Sequence, residues 1–285
     1  MREYLDTGAS LAPSAPCLTM AGVTLSYAFV QELSWRIARG LDRSGVRPGD
    51  RVAVLSGNDP TAFSCVFGIA RVGATWVPLD PAGIFDAAGC TCLLFHVSFA
   101  PLVERLRPHL AGVKTVICLG GASPGATPFE DWLEGVPASP WDAAPRGDLD
   151  TGTALTLLGH PAEERPRFLA PTSLTGRAGL LSRPVLALGG EIVLMPAPDV
   201  TDFLHLVERH RITHAFLPTA LLCRLLDNIT LDTADLTSLR CLLYGDAPLP
   251  AARLREAHER VGPVLHRPLS STDAASRDCA PPRSA

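Results

Sequence analysis

The residues that could do chemistry in this sequence are scattered. Eight histidines (His96, His109, His160, His205, His210, His214, His258, His266) include no pair four apart around an acid on one helix, the spacing that aims two imidazoles at one metal. His210 and His214 have the interval but straddle an expected turn, so all eight read as core or surface side chains. The eight cysteines contain no Cys-x-x-Cys pair. Cys65, Cys92, Cys118, Cys223 and Cys241 stand in apolar runs and read as reduced core thiols rather than zinc ligands or a redox couple. Ser182, Ser270 and Ser271 lack the strand-turn-helix setting that exposes a nucleophilic serine. Gly120-Gly121-Ala122-Ser123-Pro124-Gly125 is glycine-rich, yet no strong helix follows to aim amide donors at a phosphate, so it reads as loop. Glu163 and Glu164 could form an acid/base or metal pair, but a solvated charged turn accounts for them better. Trp35, Trp76 and Trp132 are expected to pack rather than to stack on bases.

The elements that must carry these residues alternate. Arg51–Leu55 reads as a strand, Asn58-Asp59-Pro60 as a helix cap with proline at the first helical position, and Ala70-Arg71-Val72 as the close of that helix. Gly73 is placed for the left-handed turn past the helix, and Thr75-Trp76-Val77 for a second strand that Pro78 and Pro81 must end. This is one right-handed crossover unit of a parallel sheet. Before it, a short strand at Val23–Tyr27 leads into an amphipathic helix over Phe29–Leu41. After it, strands are expected at Cys92–Val97 and Lys114–Leu119, with a helix at Phe99–Leu110. The second half repeats the alternation. Strands are expected at Thr153–Leu158, Glu191–Met195, Thr213–Leu217, Leu239–Tyr244 and Val264–Leu269, and helices at Gly179–Leu188, Thr201–His210, Thr219–Leu226 and Pro250–Arg260. The fold class is therefore α/β, with two packed α/β subdomains and largely parallel sheets. The expected divisions are 1–119 as the first subdomain, 120–150 as a linker with one helical piece around Phe129–Leu133, 151–275 as the second subdomain, and 276–285 as an unstructured tail. Residues 1–20, rich in Pro, Ala and Ser, are expected to be irregular.

Bulk composition narrows the function classes. With 285 residues, 47% apolar and 19% charged, the chain can bury a sizeable core and is not a disordered tract. A net charge of −4 leaves no overall basic footprint for nucleic acid. No apolar run approaches the roughly 20 residues that span a bilayer. The opening Met-Arg-Glu-Tyr-Leu-Asp carries acids where a signal peptide needs positive charge and an apolar run, so a cytoplasmic location is expected.

Six fragments, in order, resemble the adenylate-forming superfamily of acyl-CoA synthetases, peptide-synthetase adenylation domains and luciferases. They are Val23–Tyr27, Val46–Ala53, Ala70–Pro81, Leu188–Leu194, Arg211–His214 with Leu217-Pro218-Thr219, and Tyr244-Gly245-Asp246-Ala247-Pro248-Leu249-Pro250. The resemblance implies the large domain of that family, with ATP and magnesium as cofactors and a carboxylic acid or acyl group as ligand. It implies ATP-dependent conversion of a carboxylate to an acyl-adenylate, in which backbone donors, hydroxyls, a lysine and magnesium hold the phosphates. It also implies adenine contact at Asp246, Ala247 and Pro248, phosphate contact at Thr272, and a magnesium-associated acid at Asp273.

The sequence departs from the family pattern where phosphate is gripped. At the position of the Ser/Thr/Gly-rich loop ending in Gly-x-Pro-Lys stands Leu158–Arg167, in which only Arg165, Pro166 and Arg167 are read as a phosphate-loop remnant. Its hydroxyls are gone, and Glu163 and Glu164 would repel a polyphosphate. Ser173–Gly179 stands in for the Pro-Leu-x-His-x-x-Gly segment. Leu269 replaces the tyrosine that stacks on adenine, and shortening is read between Pro81 and Cys90. No counterpart to the ribose-binding acid, the hinge or the lid domain with its catalytic lysine is read after Asp273. The expectation is a truncated, degenerate acyl-CoA-synthetase-like protein, inactive alone in acyl activation. The alternatives are a non-catalytic scaffold or half of a split ligase, with a protein partner on the face a lid would cover.

Overall fold

The computed structural model describes residues 1–79, 89–110, 112–143, 165–174, 177–245 and 247–267. Two sheets organise them. The smaller has five strands, all parallel, in the order β4-β3-β5-β6-β7: β3 (Arg51–Leu55), β4 (Thr75–Pro78), β5 (Cys90–His96), β6 (Thr115–Leu119) and β7 (Thr127–Pro128). The larger has seven, in the order β12-β11-β10-β8-β9-β1-β2. They are β1 (Pro16–Met20), β2 (Val23–Ser26), β8 (Arg167–Ala170), β9 (Glu191–Leu194), β10 (His214–Pro218), β11 (Cys241–Gly245) and β12 (Leu265–His266). Its neighbours pair in parallel except for the β1–β2 hairpin at one edge.

Helices α1 (Arg2–Leu11), α2 (Tyr27–Arg43) and α3 (Pro60–Val72) form a layer shared by both sheets. Phe63, Val66 and Phe67 of α3 pack with Leu18, Phe168 and Ile192 of the larger sheet. Ile69 and Val72 of the same helix, with Ile37 and Leu41 of α2, pack with Val52, Leu94 and Ile117 of the smaller one. A helix buried on both faces must be apolar nearly all round, and α3 is, with eleven of its thirteen residues buried. Gly68 permits its close approach to α2, because a Cβ there would lie 2.4 Å from Ile37 Cγ2. The far face of the larger sheet is covered by α7 (Val200–His210), α8 (Thr219–Leu226) and α9 (Ala251–Val261), and the far face of the smaller by α4 (Ala100–Leu106). α5 (Phe129–Trp132) and α6 (Arg177–Ala187) complete the set.

The crossover unit forms as its sequence dictates. Asp59 accepts from Ala62 N at 2.7 Å with Pro60 opening the helix, and Gly73 closes it at φ 79°. Four departures stand out. Residues 1–20 are ordered as α1 and β1. The β1–β2 hairpin, placed with the first subdomain by the expected boundary at 119, joins the larger sheet instead, because Leu18 and Thr19 pair with Ile192 and Val193. Part of 120–150 is built into the fold: β7 extends the smaller sheet, and Arg36 donates to the carbonyls of Leu133 and Val136. The helix expected over Phe99–Leu110 gives way at Arg107–His109 to a tighter 3₁₀ turn, since Pro108 has no N–H to continue it. The strand expected at Thr153–Leu158, the shortening after Pro81 and the tail from 276 lie outside the described residues. No helix among the described residues is long and apolar enough to cross a membrane.

Candidate functional site

Ligands of open parallel α/β sheets bind at the carboxyl ends of the strands. In the larger sheet that edge is formed by Ala170-Pro171, Met195, Pro218 and Gly245. Thr219, buried at the start of α8, organises one side of it. Its hydroxyl lies 2.9 Å from the Gly245 carbonyl and 2.7 Å from that of Ala247. The one hydroxyl proton is shared between the two, which fixes the turn that leads into Pro248. Asn58, from the loop between β3 and α3, organises the other side. Its Nδ2 lies 3.0 to 3.1 Å from the carbonyls of Ala170, Thr172 and Met195, and its Oδ1 accepts from Leu174 N at 3.1 Å. One amide from the smaller sheet thereby ties down the ends of two strands of the larger. Beside it, Ser56, Trp76, Ser173 and Leu174 line a cavity of about 20 Å³, in whose walls Ser56 Oγ and Trp76 Nε1 are buried without a hydrogen-bond partner among the described residues. That volume suits one water.

Arg165, Pro166 and Arg167 are not at this edge. Arg167 begins β8, where its N–H donates to Thr213 Oγ1 at 2.9 Å and its carbonyl accepts from Thr213 N at 3.0 Å. Thr213 immediately precedes β10, and Pro218 ends it, level with Gly245. Five residues at about 3.3 Å each separate the two ends, roughly 16 Å. The three residues read as a phosphate-loop remnant and the Ala247-Pro248 turn therefore sit at opposite edges of one sheet. Arg167 is the lead-in to a parallel strand, and residues 158–164 before it lie outside the described residues. Asp246, Thr272 and Asp273, together with Glu163, Glu164 and His160, lie outside the described residues.

At the C-terminal edge Ser173, Thr219, Gly245, Ala247 and Pro248 supply hydroxyls and backbone groups, and the nearby carboxylates of Asp59 and Asp199 are engaged in capping helices. Lys114, the sole lysine of the sequence, leads into β6 of the other sheet, its N–H bonded to Thr91 O at 2.9 Å. Hydroxyls and backbone groups alone do not supply the cationic donors that a magnesium triphosphate needs. Among the described residues, no three His, Cys, Asp or Glu side chains gather to hold a metal. Burial pushes the Cys92 thiol up to about 12 and the Cys241 thiol to about 11. His210, at the N-terminal edge, is held below the ordinary imidazole value by burial, aided by Arg209 and Arg167 and opposed by Glu191. The roles of Asn58 and Thr219 were missed. Asn58 reads locally as part of a helix cap and Thr219 as the third residue of a Leu-Pro-Thr fragment; both act through partners tens of residues away.

The profile of the family described as AMP-binding enzyme matches residues 5–83 and 152–271. A feruloyl-CoA synthase of an Amycolatopsis species is 29% identical over 265 residues, covering 85% of this chain and 53% of that protein. The indoleacetate–CoA ligase of Aromatoleum aromaticum is 28% identical over 299 residues, covering 93% and 58%. The chain thus spans a little over half the length of these curated relatives. Among solved structures, the amide bond synthetase McbA of Marinactinospora thermotolerans superposes with a TM-score of 0.79 at 27% identity, covering 96% of this chain and 63% of that one. The anthranilate CoA ligase AuaEII, in complex with anthranoyl-AMP, shares the fold with a TM-score of 0.82 at 19% identity, covering 95% and 58%.

Proposed function

Since the chain belongs to the AMP-binding enzyme family, we propose that it is an acyl-CoA-ligase-like large domain that keeps the nucleotide-side platform at the C-terminal edge of its larger sheet but does not by itself activate carboxylates with ATP. One observation carries this reading. The edge is built to hold a turn, through Thr219 and Asn58, yet Ser173, Thr219, Ala247 and Pro248 offer it hydroxyls and backbone groups, and the only lysine of the sequence belongs to the other sheet. Removing one preorganised donor to developing charge costs about a hundred- to a thousandfold in rate. Losing the hydroxyls and the lysine together leaves no ordinary turnover, even though such effects do not add.

The test uses the purified chain with ATP, magnesium and a panel of aryl and fatty acids. Pyrophosphate release is expected to stay at the blank, and turnover at an ordinary enzymatic rate would overturn the inactivity. Calorimetry with a non-hydrolysable acyl-adenylate analogue tests the platform. Binding is expected in the unaltered chain and at least a tenfold loss in Thr219→Val, whose turn is released. No binding to the unaltered chain would refute the retained platform.

A further inference from the structure

A cleft of about 470 Å³ opens at the opposite edge of the larger sheet, where the strands begin. Arg165, Arg167, Arg211 and Arg240 line it, and Glu191 is the one carboxylate in the lining. Glu191 is already engaged: it accepts from Thr19 Oγ1 at 2.6 Å and faces Arg167 Nε at 3.9 Å. Arg167 and Arg211 are each steadied from one nitrogen, by the His210 carbonyl at 2.8 Å and by Asp235 at 3.2 Å. A guanidinium has five N–H donors, so these anchors orient the forks without using them up. Among the described residues Arg165 has no ion pair.

The backbone at this edge has little left to offer a ligand. The amides of Arg167, Glu191, Thr213 and Arg240 are bonded to Thr213 Oγ1, Pro166 O, Arg167 O and Thr213 O. Recognition in the cleft therefore falls to the guanidiniums. Among the described residues, four guanidiniums against Glu191 in the lining and Asp235 beside Arg211 leave this concavity net positive in a chain of net charge −4. Their planar forks match the oxygens of a phosphate two at a time. The volume falls within the range of small-molecule pockets and exceeds what an inorganic anion fills. Ala15, Pro16, Pro166 and Gly189 give an uncharged wall for an organic body.

We propose that this arginine-lined cleft binds a phosphorylated small molecule, at a site separate from the nucleotide-side platform at the other end of the strands. The inference does not depend on the function proposed above. It is tested by calorimetric titration of the full chain with ribose 5-phosphate at low salt. Saturable binding is expected, weakened several-fold between about 50 and 300 mM salt, because the arginines are solvent-exposed and screened. Arg165→Gln combined with Arg211→Gln should weaken binding at least tenfold with the melting temperature nearly unchanged, and Thr219→Val should leave it as it was. Absent binding, binding indifferent to the two arginine changes, or binding lost in Thr219→Val would each overturn the proposal.

Discussion

Asn58 does more for the site than any charged residue near it. Its two amide protons serve three carbonyls and its oxygen serves the Leu174 amide, all in the seam between the sheets. Asn58→Ala leaves that group unserved, and a buried polar atom without its partner costs about 1–3 kcal/mol. A total loss of about 2–4 kcal/mol is expected in urea unfolding. Asn58→Asp is isosteric but replaces the donor with an acceptor facing carbonyl oxygens, and is expected to be worse than alanine; an aspartate tolerated as well as asparagine would contradict this account. The neighbouring Asp59 was legible in the sequence because a helix cap is a local signal, written in three consecutive residues. The Asn58 bonds were not, since their partners lie more than a hundred residues on and nothing in the intervening sequence encodes the register that brings them close.

Among the elements, the helical layer holds an ionic cluster that its sequence conceals. Arg71, fully buried near the end of α3, bonds Asp6 of α1 at 2.5 Å, Asp142 at 2.9 Å and Ser34 of α2 at 2.7 Å, and lies 5.4 Å from the Trp35 ring. Arg2 reaches the same Asp142 at 3.2 Å. Arg71→Met leaves Asp142 to Arg2 and Asp6 to the Gln31 amide alone, and is expected to cost about 3 kcal/mol, because removing one partner of a buried pair is the expensive change. Adding Asp6→Leu should recover part of that loss, a sign that chemical denaturation of the two variants can check. In the sequence Arg71 merely closes an apolar helical run. α1 was hidden for a similar reason. Its turns hold Gly8, Ala9 and Ser10 rather than a strong apolar stripe, and Gly8 is there because a Cβ would meet Leu186 O at 2.2 Å. β8 is four residues long and buried between β9 and β10, too short to show a period, so Arg165–Arg167 looked like loop. The other longer strands and helices that are described showed their period and were placed within about two residues, whereas the helix expected over Phe99–Leu110 ends at Leu106.

For the molecule as a whole, the shared helical layer means that neither sheet has a core of its own on its inner face. Unfolding of the smaller sheet would strip α3 of half its packing and expose the larger. A single calorimetric transition with matching van't Hoff and calorimetric enthalpies is expected, and two resolved transitions would show the sheets to be independent. The place of β1 has a further consequence, for biosynthesis. Leu18 must wait for Ile192, about 170 codons downstream. At ribosomal speeds of about 5–20 residues per second, that leaves the inner edge of the β1–β2 hairpin without its β9 neighbour for roughly 10–30 s on the nascent chain, a window open to chaperone capture.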